Sequence, residues 1–258
     1  EFFTAKYGFR ESSWPMRLLH WEEKLSARFA DVVLAPHEAC ARYYLRSVPR
    51  EHIVVVMNTP DPRVFSDGPA VRDPDDRTML YAGTVASRYG VDLAVRALAL
   101  LRAEVPGLSL RIVGDGDQLP SLRTLARDLD VEDSVHFDGP VPLDRVPAIV
   151  RSSWLGVQPN RDDALMRLNL STKVLEWARL GLPVVVGITP PLAECFTDDE
   201  ILICEPGDFE GFCARVRQAA KDPDALAAMA ERARAASARF SFGDQMAAFV
   251  RAIEGSPR

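Results

Sequence analysis

Ser171-Thr-Lys-Val-Leu-Glu-Trp-Ala-Arg-Leu-Gly-Leu-Pro-Val-Val-Val186 holds a helix start, a helix stop and a buried strand in one short run. Leu175, Ala178 and Leu180 supply the apolar face of a helix that Ser171 and Thr172 are placed to cap. Gly181 stops the helix, Pro183 resets the backbone, and residues 184–186 predict a parallel strand covered on both faces. A helix N-terminus presents unpaired N–H groups and a partial positive charge, which suits phosphate. Lys173 adds a full cation there, and Glu176, three residues on, shares its face. Taken alone, a Lys and a Glu at this spacing are most often a solvated surface pair. A phosphate binder beside a carboxylate able to accept two hydroxyl hydrogen bonds suits a nucleoside diphosphate instead.

Outward from that stretch, strand and helix alternate. Strands are predicted over 78–82, 108–113, 135–137, 155–158, 184–186 and 200–204, and helices over 92–104, 119–129, 143–152 and 209–220. An Ala-rich helical run follows Pro223, and Phe240-Ser-Phe-Gly243 breaks it before a final helix to Ile253. This alternation implies an α/β fold with a doubly wound parallel sheet, whose ligands bind at the C-terminal strand ends. Residues 66–77, polar and carrying Pro69 and Pro74, read as a linker. Ahead of it lie a helix over 14–30, a strand over 31–35, a helix over 37–46 and a strand over 53–57. That fragment has too few elements to close a core, so residues 1–65 read as the end of a preceding domain. The opening Glu1-Phe-Phe-Thr-Ala-Lys-Tyr7 lacks an initiator Met and reads as cut from something longer.

Hydrophobic residues make up 47% and charged residues 26% of the 258, ordinary for a globular chain with a sizeable core. A net charge of −6 argues against non-specific nucleic-acid binding. No apolar run reaches the length of a membrane span and no signal peptide is evident, which leaves peripheral membrane contact open. Cys40, Cys195, Cys204 and Cys213 form no C-x-x-C pair, and His20, His37, His52 and His136 show no ligand spacing. Reduced thiols and no metal site are therefore expected.

Four strand exits carry further candidates. In Ala82–Gly90, Gly83 and its neighbours permit close backbone approach, and Arg88 is placed to meet a diphosphate; a plain strand-to-helix loop is the alternative. Gly114-Asp-Gly116 lacks the third glycine of a dinucleotide fingerprint, since Leu119 stands there, which argues against a nicotinamide cofactor. Gly139 and Val141 could present backbone groups to a base edge. Asn160, Arg161 and Asp162 should lie at the same rim, Arg161 toward phosphate and Asp162 or Asp163 toward sugar hydroxyls, with a solvated turn as the alternative.

In combination the motifs resemble a known family. From Tyr81 to about Phe242 the chain is similar to the C-terminal, donor-binding domain of a family-4 glycosyltransferase of the GT-B fold. The resemblance rests on Tyr81-Ala-Gly-Thr-Val, Gly90-Val-Asp-Leu-Ala, Leu110-Arg-Ile-Val-Gly-Asp-Gly, Val135-His-Phe-Asp-Gly-Pro-Val, the stretch quoted first and Cys204-Glu-Pro-Gly-Asp, in that order. Residues 12–65 resemble the end of that family's N-terminal domain. Residues 239–258 resemble the segment that crosses back to it, leaving 78–238 as the donor-binding domain. The resemblance implies that Glu176 binds the ribose hydroxyls. Lys173 and the Ser171 and Thr172 backbone would bind the diphosphate, with Arg88 assisting; Gly83, Thr84, Gly114, Asn160, Arg161 and Asp162 remain donor-loop candidates. It implies a sugar moved with retention from a UDP- or GDP-sugar to a carbohydrate or lipid-linked acceptor hydroxyl, with no metal and no other cofactor. Surface polysaccharide or glycolipid synthesis at the cytoplasmic face of a membrane is the implied setting. The chain departs from the family pattern at Leu168, where many relatives carry a second Glu, and at Thr84 and Tyr89, where a Gly-Arg and a Lys-Gly pair are frequent. No catalytic residue is assigned. A non-catalytic nucleotide-binding module and a sugar-nucleotide epimerase are the alternatives. These 258 residues alone are expected to bind nucleotide and to transfer sugar poorly.

Overall fold

The computed structural model describes residues 12–66, 68, 71–73 and 75–255. The opening segment read as cut from a longer chain lies outside them. The first part comprises helix α1 (Trp14–Phe29), strand β1 (Val33–Ala35), helix α2 (Glu38–Tyr44) and strand β2 (Ile53–Val55). β1 and β2 pair in parallel as a two-stranded sheet over a small cluster of Ala27, Ala35, Ala41, Val48 and Ile53.

Strict alternation of apolar side chains builds the larger part. In β3 (Arg77–Ala82), Met79 and Tyr81 enter one apolar cluster while Leu80 and Ala82 enter another, so both faces of the sheet are covered. The strands that follow are β4 (Leu108–Val113), β5 (Val135–Gly139), β6 (Leu155–Gln158), β7 (Val184–Gly187) and β8 (Leu202–Cys204). They form one parallel sheet of six, ordered β5-β4-β3-β6-β7-β8. Helices α3 (Val91–Leu101), α4 (Leu119–Asp128) and, further along the chain, Phe209–Lys221 bury apolar faces in the first cluster. Helices α5 (Val146–Ser152), α6 (Thr172–Arg179) and α7 (Pro190–Ala193) cover the second; α8 (Phe209–Lys221) is followed by α9 (Pro223–Ser237), which joins them there. The sheet grows outward in opposite directions from β3 and β6. The gap beyond their C-terminal ends is thus the topological switch point, where such sheets take ligands.

Several expected boundaries move. The helix expected over 143–152 begins at Val146, after a short 3₁₀ turn, because Pro147 is tolerated only in a helix's first turn. The strand expected over 135–137 extends to Gly139, whose carbonyl accepts from Gly114 N–H at 2.8 Å. The strand expected over 53–57 stops at Val55, since its partner β1 ends at Ala35. The helix expected over 37–46 keeps His37 outside as its N-cap, with Nδ1 accepting from Cys40 N–H at 3.2 Å. The one-turn helix α7 was not expected.

The stretch read as linker is pinned to the sheet domain. Arg72 donates to the Ser153 and Gly181 carbonyls at 2.9 and 2.6 Å, Arg179 donates to the carbonyl of Phe65 just ahead of the stretch at 2.7 Å, and β3 already begins at Arg77. The first part meets the larger one through His37 Nε2–H, donating to Leu168 O at 2.9 Å, and through the Arg42–Glu194 ion pair. The last helix, α10 (Phe242–Glu254), lies against β2, and Gln245 Oε1 accepts from Met57 N–H at 2.7 Å. No helix among the described residues is long and apolar enough to cross a membrane.

Candidate functional site

Helix α6 is seated by Val174, Leu175, Trp177 and Ala178, all buried, with the Trp177 ring lying directly over Gly156 of β6. Its N-terminus therefore opens at the C-terminal ends of β3 and β6. Ser171 holds the N-cap position but does not cap. Its buried hydroxyl donates instead to Gln158 Oε1 at 2.7 Å, Gln158 Nε2 donates to Asn160 Oδ1 at 2.9 Å, and Asn160 Nδ2 donates to Gly187 O at 2.7 Å. This buried polar chain corrects the expectation of a Ser171 or Thr172 side-chain cap: Thr172 is the first helical residue, and the serine hydroxyl is drawn away by the strand beneath. As a consequence the N–H groups of Thr172 and Lys173 meet no acceptor among the described residues, while Val174 N–H reaches Ser171 O at 3.2 Å.

Lys173 and Glu176 are not the solvated pair their spacing allows. The Lys173 ammonium lies 4.8 Å from the Tyr81 ring centre and 4.2 Å from that of Tyr89, and donates to the Tyr81 hydroxyl at 3.4 Å. A Cβ on Gly83 would fall 2.9 Å from Nζ, so any other residue there would push the amine out of this position. Loss of hydration pulls the ammonium's pKa down to about 8, against the opposing pull of Glu176. Burial likewise raises the Glu176 carboxyl, with Lys173 opposing. The Glu176 carboxylate forms no hydrogen bond or ion pair with any described residue. A cation and a carboxylate thus face the same rim, each with unused hydrogen-bonding capacity.

The other candidates divide. Gly83 and Gly114 bring two loops into backbone contact, since a Cβ on Gly114 would sit 1.9 Å from Gly83 O and Gly83 N–H donates to Val113 O at 2.8 Å. Arg88, half-buried, forms no hydrogen bond or ion pair through its side chain among the described residues. Thr84 is exposed, and its carbonyl accepts from the Tyr81 hydroxyl. Asn160 is fully buried at φ +49°, with its amide spent on Gln158 and Gly187, its N–H on Tyr89 O and its carbonyl on Gly207 N–H. Arg161 is drawn to Asp92 Oδ2 at 2.6 Å, and Asp162 is clasped by Arg167 at 2.8–2.9 Å, which holds its carboxyl below the usual range. Gly139 has open space where a Cβ would lie, and Val141 packs against the second cluster. The sequence reading assigned no site role to Gln158, Tyr81 or Tyr89. Gln158 carried a signal, as the polar residue closing the apolar strand Leu-Gly-Val-Gln.

All four cysteines are free thiols, and burial raises Cys195 and Cys213 to about 11 and Cys204 to about 12. Among the described residues no group of three or more His, Cys, Asp or Glu is placed to hold a metal ion.

The sequence model of the family described as "Glycosyl transferases group 1" matches residues 66–236. The chain is 32% identical over 145 residues to a GDP-mannose-dependent α-(1-6)-phosphatidylinositol monomannoside mannosyltransferase of Mycolicibacterium smegmatis, covering 55% of this chain and 38% of that protein. It is 31% identical over 164 residues to a glycogen synthase of Mycobacterium tuberculosis, covering 63% and 38%. The chain thus spans well under half the length of these relatives. Among solved structures it is similar to HepE of Anabaena in complex with UDP, with a TM-score of 0.77 at 18% identity over 90% of this chain and 65% of that one. WaaG, a glycosyltransferase involved in lipopolysaccharide biosynthesis, gives a TM-score of 0.69 at 21% identity over 84% and 61%. These likenesses establish the GT-B fold.

Proposed function

The chain belongs to the group 1 glycosyl transferases, and on that premise we propose that it binds a nucleoside diphosphate sugar at the C-terminal ends of β3 and β6. The observation that carries this reading is the pair Lys173 and Glu176, both partly buried and not joined to each other, beside two helix N–H groups that meet no acceptor among the described residues. Lys173, the Thr172 and Lys173 N–H groups and Arg88 hold the diphosphate. Glu176 accepts hydrogen bonds from the two ribose hydroxyls. Asn160, with Gln158, orients the rim and leaves the donor to others.

In the proposed reaction the bond between the sugar's anomeric carbon and the diphosphate oxygen breaks. A bond to the acceptor oxygen forms on the same face, the acceptor hydroxyl gives its proton to the departing diphosphate oxygen, and the nucleoside diphosphate leaves. Cations and helix N–H groups stabilise the charge growing on that leaving group, without a metal. Membership of the retaining family 4, a UDP- or GDP-sugar donor and a carbohydrate or lipid-linked acceptor belong to this proposal. So does a setting in surface polysaccharide or glycolipid synthesis at the cytoplasmic face of a membrane; the mycobacterial mannosyltransferase and WaaG lend it support. Leu168 and Thr84 favour a second reading, a nucleotide-binding module without transfer activity.

Calorimetric titration with UDP, GDP, ADP and NAD, with and without Mg²⁺, tests the site. One nucleoside diphosphate should bind without metal and be lost in Glu176→Ala. Equal binding by Glu176→Ala, or binding of NAD alone, rules the site out. Acceptor-dependent consumption of donor separates transfer from the module reading.

A further inference from the structure

Resting on the donor-site reading above, we propose that Tyr89 is a positioning residue for the donor diphosphate: its ring, together with that of Tyr81, holds the Lys173 ammonium at the end of β3. Lys173 starts from α6, whose apolar face packs in the second cluster, yet its amine ends among rings that pack in the first. The side chain passes the strand end over Gly83, where no Cβ obstructs it. A lysine has four rotatable side-chain bonds, and a free one would spread its charge over a wide volume. Here two ring faces, with centres 6.5 Å apart and tilted by 47°, fix the amine between them. Cation–π attraction grows as a cation loses hydration, and partial burial strips hydration from this ammonium.

Tyr89 is itself tied down by both loops of the switch point. Its N–H donates to Ala86 O at 3.0 Å, and its carbonyl accepts from Asn160 N–H at 3.2 Å. The place of the ammonium is therefore set jointly by the loops after β3 and β6, the two strands that flank the proposed diphosphate. Of the three ammonium N–H donors, one reaches the Tyr81 hydroxyl, and no other acceptor lies within hydrogen-bonding distance among the described residues. The titratable groups facing the amine are Tyr81 from β3, Tyr89 from the turn after it and Glu176 from α6 itself. The rings stabilise the charged form while desolvation opposes it, so removing one ring and keeping the site dry should make the amine lose its proton at lower pH.

The test is UDP and GDP affinity of Tyr89→Leu, Tyr89→Phe and Lys173→Ala between pH 6 and 10, with thermal melts as the folding check. Leu fills the space without a ring face. It should weaken binding roughly fivefold or more at pH 7 and move the alkaline fall in affinity to lower pH. Phe restores both affinity and midpoint. The proposal is overturned if Tyr89→Leu matches the parent. It is equally overturned if Leu weakens binding by one factor at every pH, which marks packing alone, or if Phe is as poor as Leu. Loss of binding in Lys173→Ala alongside neutral Tyr89 variants removes only this inference. Failure of the parent chain to bind either nucleotide, or undiminished binding by Lys173→Ala, removes the donor-site reading and this inference with it.

Discussion

Replacing Gly114 by Ala should damage both stability and the proposed nucleotide site, and the structure sets the scale. Gly114 lies at φ +131°, which an L side chain adopts only under strain of about 1–2 kcal/mol. Its new Cβ would be placed 1.9 Å from Gly83 O, and since real Cβ contacts do not fall below 3.0 Å, the two loop backbones must part by about 1 Å. Overpacking of this kind costs typically about 1–3 kcal/mol. Losing the Gly83 N–H to Val113 O bond adds about 1 kcal/mol. The sum, about 3–6 kcal/mol, is a large share of a domain's stability, typically about 5–15 kcal/mol. Gly207→Ala is the control: φ is +81° there, but no atom lies within 4 Å of the added Cβ, so strain alone acts and about 1 kcal/mol is expected. Urea unfolding followed by far-UV circular dichroism reads the difference. Because Gly83 lies under the Lys173 amine, Gly114→Ala should also weaken nucleotide binding about tenfold or more, whereas Gly207→Ala should not do so through this route. Equal destabilisation by the two substitutions, within about 0.5 kcal/mol, would refute the argument that backbone contact between the two loops holds the site.

Two further outcomes follow from the buried charges and the polar chain. The Lys173 pKa falls from 10.5 to about 8 on folding, so between those values the unfolded chain binds more protons and stability rises with pH. Below about 8 the buried cation costs up to about 3 kcal/mol, so Lys173→Met should be more stable than the parent at pH 7, with the advantage fading toward pH 10.5. Urea midpoints at the two pH values check this, and a Met variant less stable at pH 7 contradicts it. Gln158→Leu leaves Asn160 Oδ1 without its donor, at about 1–3 kcal/mol, and frees the Ser171 hydroxyl to cap its own helix in competition with phosphate. Adding Ser171→Ala should therefore restore nucleotide affinity without restoring stability; calorimetry showing additive losses in the double variant would discard the idea.

Strand and helix alternation, the Ser171–Val186 run and the order of the glycine-bearing strand exits were legible along the chain. Each is a local pattern that backbone geometry converts directly into an element: Gly181 and Pro183 stop α6, and the valines of β7 admit a strand covered on both faces. From these the parallel sheet and the rim carrying Lys173 and Glu176 could be read. Boundaries set by partners were less legible, as where β2 ends with β1 and β5 extends to meet Gly114. Only the tertiary structure decided what each polar side chain does. Arg161 belongs to Asp92 and Asp162 to Arg167, Asn160 is spent on internal hydrogen bonds, and Ser171 answers to Gln158 thirteen residues away. The same holds for the environment of Lys173. Its neighbours in sequence offered a solvated ion pair with Glu176; its neighbours in space are one tyrosine ring from β3, another from the turn after it, and the bare backbone of Gly83. Sequence spacing determines which side chains share a face of one element. Hydration, partner and protonation depend on which other elements arrive there, and those distances exist only once the sheet has closed.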